Sequence, residues 1–266
     1  MKILETAKYL GANAYSCDAN GIWVSLTQYS EENLPDYSLH AHVNSHLTLM
    51  LQGGTLEKRQ KEEFQRLPGE VVFFHSGEPH QNSHSINKTK NINLEFEPAF
   101  LKTHGLEEKD ICQAVEKKPD AKFLLLKAYH ELLVKDNFST DSINMIVLEL
   151  VKSPLQVQKE NIRPMWVNII HELLQDRWNE QVTLQELSLV ANVHPITISK
   201  HFPKYFSCTL GEYMRKLKIE KALTLIKNTT SDLTAIALIC GFADQSHFIR
   251  TFKQMTGFLP NQFKKL

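Results

Sequence analysis

The sequence predicts an α+β chain with two dissimilar domains: an amino-terminal antiparallel β-barrel with trailing helices, and a carboxyl-terminal all-α domain in which a pair of helix-turn-helix units is joined by a long helix. Three observations lead there. A small helical unit occurs twice between residues 183 and 266. Short β-branched and aromatic runs alternate with glycine and proline turns over the first hundred residues. After Pro98 the apolar spacing changes to that of helices. The expected boundaries are residues 1–152, a linker over 153–163, and residues 164–266.

Strands are expected near Ile22 to Tyr29, His46 to Leu51, Glu70 to His75 and Asn91 to Phe96, with turns at Gly53-Gly54, Pro68-Gly69 and Ser76-Gly77. Short strands so spaced suit an antiparallel sandwich or barrel. Phe123 to Val134 and Ile143 to Val151 are apolar at helical spacing, which suits a packing surface or the contact face of a homodimer. The stretch from Ser153-Pro154 to Arg163 is polar and proline-bounded, as a linker would be.

In the carboxyl-terminal domain, Leu184, Leu187, Val190 and Ala191 are followed by a break at Asn192-Val193 and a helix from Pro195 to about Phe206. Leu233, Ile236, Ile239 and Cys240 repeat the pattern 49 residues later, break at Gly241-Phe242, and resume from Gln245 to about Thr256. The second helices are offset by 50, so the second turn holds one extra residue. Thr183 with Glu186 and Thr209 with Glu212 form capping boxes, Ser231 or Asp232 can cap the start of the second copy, and Asp244 can cap the helix that follows. Gly241 and Asn192 stand where a sharp turn needs positive φ. Pro195 suits a first helical position, where no amide hydrogen is left unpaired. Between the copies, apolar spacing from Leu210 to Ile226 predicts a connecting helix to about Asn228. Two short helices crossing over a tight turn, the second with a polar face, form a unit that enters a major groove of DNA.

Over its last hundred residues the chain resembles the AraC/XylS type of bacterial transcription regulator. The resemblance is carried by Leu184-Gln-Glu-Leu-Ser-Leu-Val-Ala191, Tyr213, Lys218-Ile-Glu-Lys-Ala222, Ile236-Ala237, Cys240-Gly-Phe-Ala-Asp-Gln-Ser-His-Phe248, Phe252-Lys253, Thr256-Gly257 and Pro260. It departs from the pattern at Pro203, usually basic, at Ser207 and Leu210, where Gly and often Pro occur, and at Phe263-Lys264. Pro203 removes an amide hydrogen and is expected to kink or shorten its helix. The resemblance implies double-stranded promoter DNA as partner, RNA polymerase as a further one, and a cytoplasmic location.

With Ile198, Phe202, Phe248 and Phe252 assigned inward, Ile196, Thr197, Ser199 and Lys200 of the first unit and Gln245, Ser246, His247 and Arg250 of the second are left for DNA. Arginine pairs bidentately with guanine and glutamine with adenine, each worth about 1–3 kcal/mol of discrimination. Arg250 and Gln245 are therefore the expected specificity determinants. Residues 162–266 hold 13 Lys plus Arg against 8 Asp plus Glu, and the remaining 17 and 22 lie before them, so a neutral total divides into +5 and −5. A basic module joined to an acidic one fits phosphate binding by the first alone.

The start of the chain lacks the apolar core of a signal peptide, and no run is long enough to span a bilayer. Cysteines 17, 112, 208 and 240 form no Cys-x-x-Cys pair and read as reduced, cytosolic and mostly structural, with redox sensing the lesser alternative. Neither export nor a membrane partner is expected.

One cluster in the strand region carries site chemistry: His40-Ala-His42, His46, and Phe74-His75-Ser-Gly-Glu78-Pro-His80, with His84 beyond. Alternate residues of a strand point the same way, so His40 and His42 could be joined by an imidazole from a neighbouring strand. Three such nitrogens suit a divalent transition metal, with His40, His42 and His80 as ligands. Residues 35–97 resemble a cupin barrel through His-x-His, Pro68-Gly69 and the final His80, whereas His46 stands near the usual place of a Glu. AraC-type regulators commonly carry a cupin-like sensing domain without metal, which makes His40, His42, His46, His80, Trp23 and Phe74 candidates for a small-molecule effector. For Trp23, Phe73, Phe74 and Phe96 core packing is the competing reading, and for His75, His84 and His104 a surface or packing place. Two function classes follow: an effector-controlled transcription regulator that is not an enzyme, or a metal-dependent cupin enzyme or metal sensor fused to a DNA-binding domain. No separate acid, base or nucleophile signature supports the enzyme.

Overall fold

The computed structural model describes residues 1–29, 38–83, 89–118, 121–152 and 164–266; the expected linker over 153–163 and His84 lie outside them. The chain divides into two compact units, residues 1–155 and 156–266.

The first unit contains β1 (Lys2–Leu4), β2 (Ala12–Asp18), β3 (Ile22–Tyr29), β4 (His40–His42), β5 (Ser45–Gln52), β6 (Thr55–Arg59), β7 (Glu62–Arg66), β8 (Val71–Phe74), β9 (His80–Ser83) and β10 (Thr89–Phe96). Then follow α1 (Pro98–Thr103), α2 (Glu108–Lys117), α3 (Ala121–Val134) and α4 (Ser139–Lys152). The strands form two five-stranded sheets, β1-β4-β9-β6-β7 and β2-β3-β10-β5-β8. Among the described residues they are two separate sheets, not the closed barrel expected, and β1 pairs with β4 in parallel. The other pairings among the described residues are antiparallel.

The four expected strands are present, and β10 lies in the middle of its sheet. It runs in unbroken register along β3, from Thr89 opposite Tyr29 to Phe96 opposite Ile22, and it pairs with β5 on its other side. Side chains alternate across such a sheet. Val24, Leu26, Leu47, Leu49, Ile92 and Leu94 share one face and are almost wholly buried. That face packs on α3, whose Phe123, Leu125 and Leu126 are buried as well. Burying each such side chain stabilises the unit by about 1.5–3 kcal/mol.

The opposite face of the same strands is buried yet polar: Ser25, Thr27, Asn91, Asn93 and Glu95. Buried polar groups are costly unless hydrogen-bonded. Asn93 meets that demand by donating to Thr27 Oγ1 at 2.7 Å and accepting from Thr48 Oγ1 at 2.9 Å. Glu95 accepts from the Ala7 amide (3.0 Å), Tyr9 hydroxyl (3.3 Å) and Asn44 amide (2.8 Å).

The second unit is all helical: α5 (Met165–Asp176), α6 (Leu184–Ala191), α7 (Pro195–Phe206), α8 (Leu210–Asn228), α9 (Leu233–Ile239), α10 (Gln245–Thr256) and α11 (Pro260–Lys265). Both capping boxes form, Thr183 with Glu186 and Thr209 with Glu212, and Asp232 and Asp244 accept from the Ala235 and His247 amides. Ile170 and Leu174 of α5 pack with Leu187, Ile198 and Phe202 to make the core of the first repeat. In the second, Ile226, Ile236, Phe248, Phe252 and Phe263 are buried together around α8.

Pro203 does not shorten α7, which has the same 12 residues as α10. The proline is exposed, so its ring faces solvent, and only one helical hydrogen bond is lost. The helix then ends at Ser207 with φ 57°, where the second copy has Gly257 with φ 84°.

Candidate functional site

The two recognition helices, α7 and α10, are assembled alike. Each buries a pair of large side chains four residues apart, Ile198 with Phe202 and Phe248 with Phe252, all at 1% exposure or less. That spacing fixes which side of the helix faces inward and leaves a polar side out. Ile196, Thr197, Ser199 and Lys200 on α7 are exposed, as are Ser246, His247 and Arg250 on α10. Gln245 is half-buried, and its side-chain oxygen accepts from Thr234 Oγ1 at 3.0 Å. It must release that contact before both amide atoms can meet a base. His247 rests edge-on against Phe242, with ring centres 5.3 Å apart. Arg250 extends from the exposed side, one turn into α10.

In the first unit a cavity of about 530 Å³, counting its open mouth, is lined from both sheets. His40, His42, His46 and His80 form one wall, together with Phe74, and all five are buried. Asn82, Asn91, Asn93, Thr48 and Thr55 make the other walls polar. Glu57, buried beside them, is held by Arg59 and by Arg66, which lies 3.1 Å away.

Three of these histidines are electrically quiet. Burial and the neighbouring imidazoles push His42 down to about 3 and hold His46 well below its ordinary value, and burial with the adjacent His40 pushes His80 down to about 3. His40 Nδ1 donates to Ser38 O at 2.9 Å and His80 Nδ1 to Glu78 O at 3.1 Å, which makes Nε2 the acceptor nitrogen of each ring. His42 Nδ1, Thr55 Oγ1 and Asn91 Oδ1 are buried with no hydrogen-bond partner among the described residues. One ligand nitrogen from each of His40, His42 and His80 lies within 4.8 Å of the other two. The arrangement can accept a hydroxyl-bearing molecule or a cation that prefers neutral nitrogen donors.

Residues 187–266 match the helix-turn-helix domain family. The transcriptional activator RhaR of Mannheimia succiniciproducens is 22% identical over 245 residues, covering 86% of this chain and 88% of its own. The carboxyl-terminal unit is a helix-turn-helix domain. The bifunctional transcriptional activator/DNA repair enzyme AdaA of Bacillus subtilis is 29% identical over 101 residues, or 38% of this chain and 48% of AdaA. This chain spans somewhat under half the length of AdaA and of the HTH-type transcriptional regulator YisR, also of Bacillus subtilis. Among solved structures, the carboxyl-terminal domain of AraT from Geobacillus stearothermophilus is similar over 40% of this chain and 88% of its own, at 24% identity and a TM-score of 0.37.

The helix-turn-helix unit brings seven of the eight residues expected at DNA onto the exposed sides of α7 and α10, with Gln245 half-buried at the start of α10. In the first unit, the structure brings His40, His42, His46, His80 and Phe74 together and leaves Trp23 out. Trp23 shares the polar face of β3 but sits at its start, where its indole N–H donates to Glu97 at 2.8 Å. His75 is exposed and paired with Glu108, and His104 Nδ1 bonds Phe100 O within the turn after α1. Sequence reasoning missed Tyr9, Thr55, Asn82 and Asn91. One signal was present: Asn91, Asn93 and Glu95 alternate with apolar residues in a strand that ends up buried on both faces.

Proposed function

We propose that this chain is a sequence-specific, DNA-binding transcription regulator whose amino-terminal cavity binds a small polar effector. The carrying observation is the pair of helix-turn-helix units, each with an exposed polar side on a helix fixed by two buried large side chains. Arg250 is the leading base-reading residue, because its guanidinium can pair bidentately with guanine. Selection from a randomised duplex pool at fixed salt tests this. Arg250→Ala is expected to relax one position of the selected sequence, and an unchanged sequence preference would refute the assignment.

The partners follow from the same reading: promoter DNA, an effector and RNA polymerase, in the cytoplasm where the DNA lies. No helix among the described residues is long and apolar enough to cross a membrane. A homodimer through the trailing helices is supported by the exposure of Leu133 and Val134 on α3 and Met145 on α4. Sedimentation of the full chain checks it.

A second reading, a metal sensor or metal-dependent enzyme, is favoured by the His40, His42 and His80 cluster. These residues fit a metal. Two of the rings are already oriented by backbone carbonyls, as ligating imidazoles usually are, and the third has a nitrogen with no partner among the described residues. The metal would supply Lewis acidity or a sensing charge. Elemental analysis of protein purified without chelator decides: about one transition metal per chain, lost in His40→Ala/His80→Ala, supports it, and no metal leaves the organic effector. Against catalysis, Glu57, the buried carboxylate that lines the cavity, is engaged by two arginines. The relatives RhaR and AdaA are both named as transcriptional activators, one of them also as a repair enzyme.

A further inference from the structure

The turn between α9 and α10 is held from two sides. Lys218 on α8 is 8% exposed and donates from Nζ to Gly241 O at 2.7 Å, with its ammonium 5.8 Å from the Phe242 ring. From the other side, Asn179 Nδ2 donates to Ile239 O at 3.3 Å. Gly241, at φ +69°, lies so near Asn179 that an added Cβ would stand 1.7 Å from its carbonyl oxygen. Asn179 belongs to the connection between α5 and α6. Arg177 braces that connection by pairing with Glu180 at 2.6 Å and Glu186 at 3.2 Å. Glu186 is also the capping-box partner of Thr183 at the start of α6. An unbroken line of contacts therefore joins the start of the first repeat to the turn of the second.

A helix-turn-helix unit does not require this. Forty-nine residues before Lys218 stands Ile169, an apolar residue packed against the first core, and the first turn presents an exposed Asn192. Stability alone does not explain a lysine at 218 either, because a buried charge is costly and an apolar side chain of similar size often serves at least as well. What the lysine adds is direction: a donor that fixes one carbonyl of one turn against α8.

We propose that Lys218 and Asn179 are positioning residues that lock the two recognition helices at one separation and phase, and so determine which spacing between two half-sites this chain accepts. The inference rests on the DNA-binding reading above. One base pair advances a half-site by about 3.4 Å and turns it by about 35° around the duplex. A locked pair of helices cannot follow that displacement without losing contacts at one half-site, whereas a loosened pair can.

The test uses the full chain and duplexes from pool selection, with the interval between half-sites at its optimum, one base pair shorter and one longer. For the unaltered chain a change of one base pair is expected to weaken binding roughly tenfold or more, the loss typical of disturbed contacts at one position. In Lys218→Met and in Asn179→Ala the optimum weakens modestly, and the penalty for a shifted interval falls below about threefold. A penalty that stays tenfold while affinity drops equally at every interval assigns both residues a purely structural role and overturns the proposal. Unchanged binding at all intervals overturns it too. Should Lys218→Met fail to fold by circular dichroism, Asn179→Ala carries the same comparison, since it leaves the buried core intact. A chain that selects and retards no duplex defeats the DNA-binding reading itself, which is distinguishable because the unaltered protein then fails first.

Discussion

At Gly241 the geometry leaves room for no side chain: φ is +69° and the neighbouring carbonyl of Asn179 already occupies the place of a Cβ. Gly241→Ala is expected to cost more than the roughly 1–2 kcal/mol of a left-handed residue, because backbone must also move. A lowered melting temperature of the second unit together with lost DNA binding would check it; unchanged melting would mean that the turn is looser than this geometry requires. Ser207 poses a milder case. It is exposed and ends α7 at φ 57°, where Gly257 ends α10 at φ 84°. Ser207→Gly should therefore raise stability by about 1 kcal/mol, read from denaturant midpoints at constant slope. Both residues stood out in the sequence, one as a turn glycine and the other as a departure from the family pattern. What could not be read there was that Gly241 touches Asn179, 62 positions earlier, since no local rule relates them.

Helices α6 to α10 of the second unit were legible almost to the residue because their ends are written in local chemistry. Thr183, Thr209, Asp232 and Asp244 each satisfy a backbone amide within three residues of themselves. The Glu186 carboxyl is drawn down to about 2, first by its backbone hydrogen bond at Thr183. Thr183→Ala is expected to destabilise this unit by about 1 kcal/mol through loss of the cap, measured by thermal or chemical unfolding, and a loss under a few tenths would mean that water caps the helix equally well. Strands were read less completely. β3, β5, β8 and β10 carry dense β-branched and aromatic runs and were found. β6 (TLEKR), β7 (EEFQR) and β9 (HQNS) are polar and short, and they are strands because neighbours pair with them. α5 was also missed, although its Ile170 and Leu174 complete the first core.

At the scale of the whole chain, the two compact units keep separate cores, so residues 156–266 are expected to fold and bind duplex DNA alone. A fragment that is helical by circular dichroism yet retards no DNA would count against it. The first unit carries the acid response. In metal-free protein His42 and His80, near 3 when folded, stay neutral between about 3 and 6.5, where the unfolded chain binds protons. The stability they confer is full above pH 6.5 and falls as pH drops through that window, by about 1.4 kcal/mol per pH unit for each. Glu95, raised by burial, works in the opposite sense just above the ordinary carboxylate range. Denaturation midpoints of the first unit at pH 7.5 and 5.5 would show the fall, and His42→Gln should make it shallower, with His80 and His46 still contributing; a pH-independent midpoint would mean that the cavity admits water to these rings. The sequence by itself determined the repeated helical units, their caps, the inward side of each recognition helix and the shared direction of His40 and His42, because each depends on spacing within a strand or a few helical turns or on a repeat visible by alignment with itself; His80 joined them only through the resemblance to a cupin barrel. Only the tertiary structure decided that the strands form two sheets, that Trp23 stays out of the cavity while Tyr9, Thr55 and Asn91 enter it, and that Asn179 and Lys218 grip one turn. Those outcomes depend on pairing between segments far apart in the chain, where many arrangements satisfy the local pattern and packing selects one.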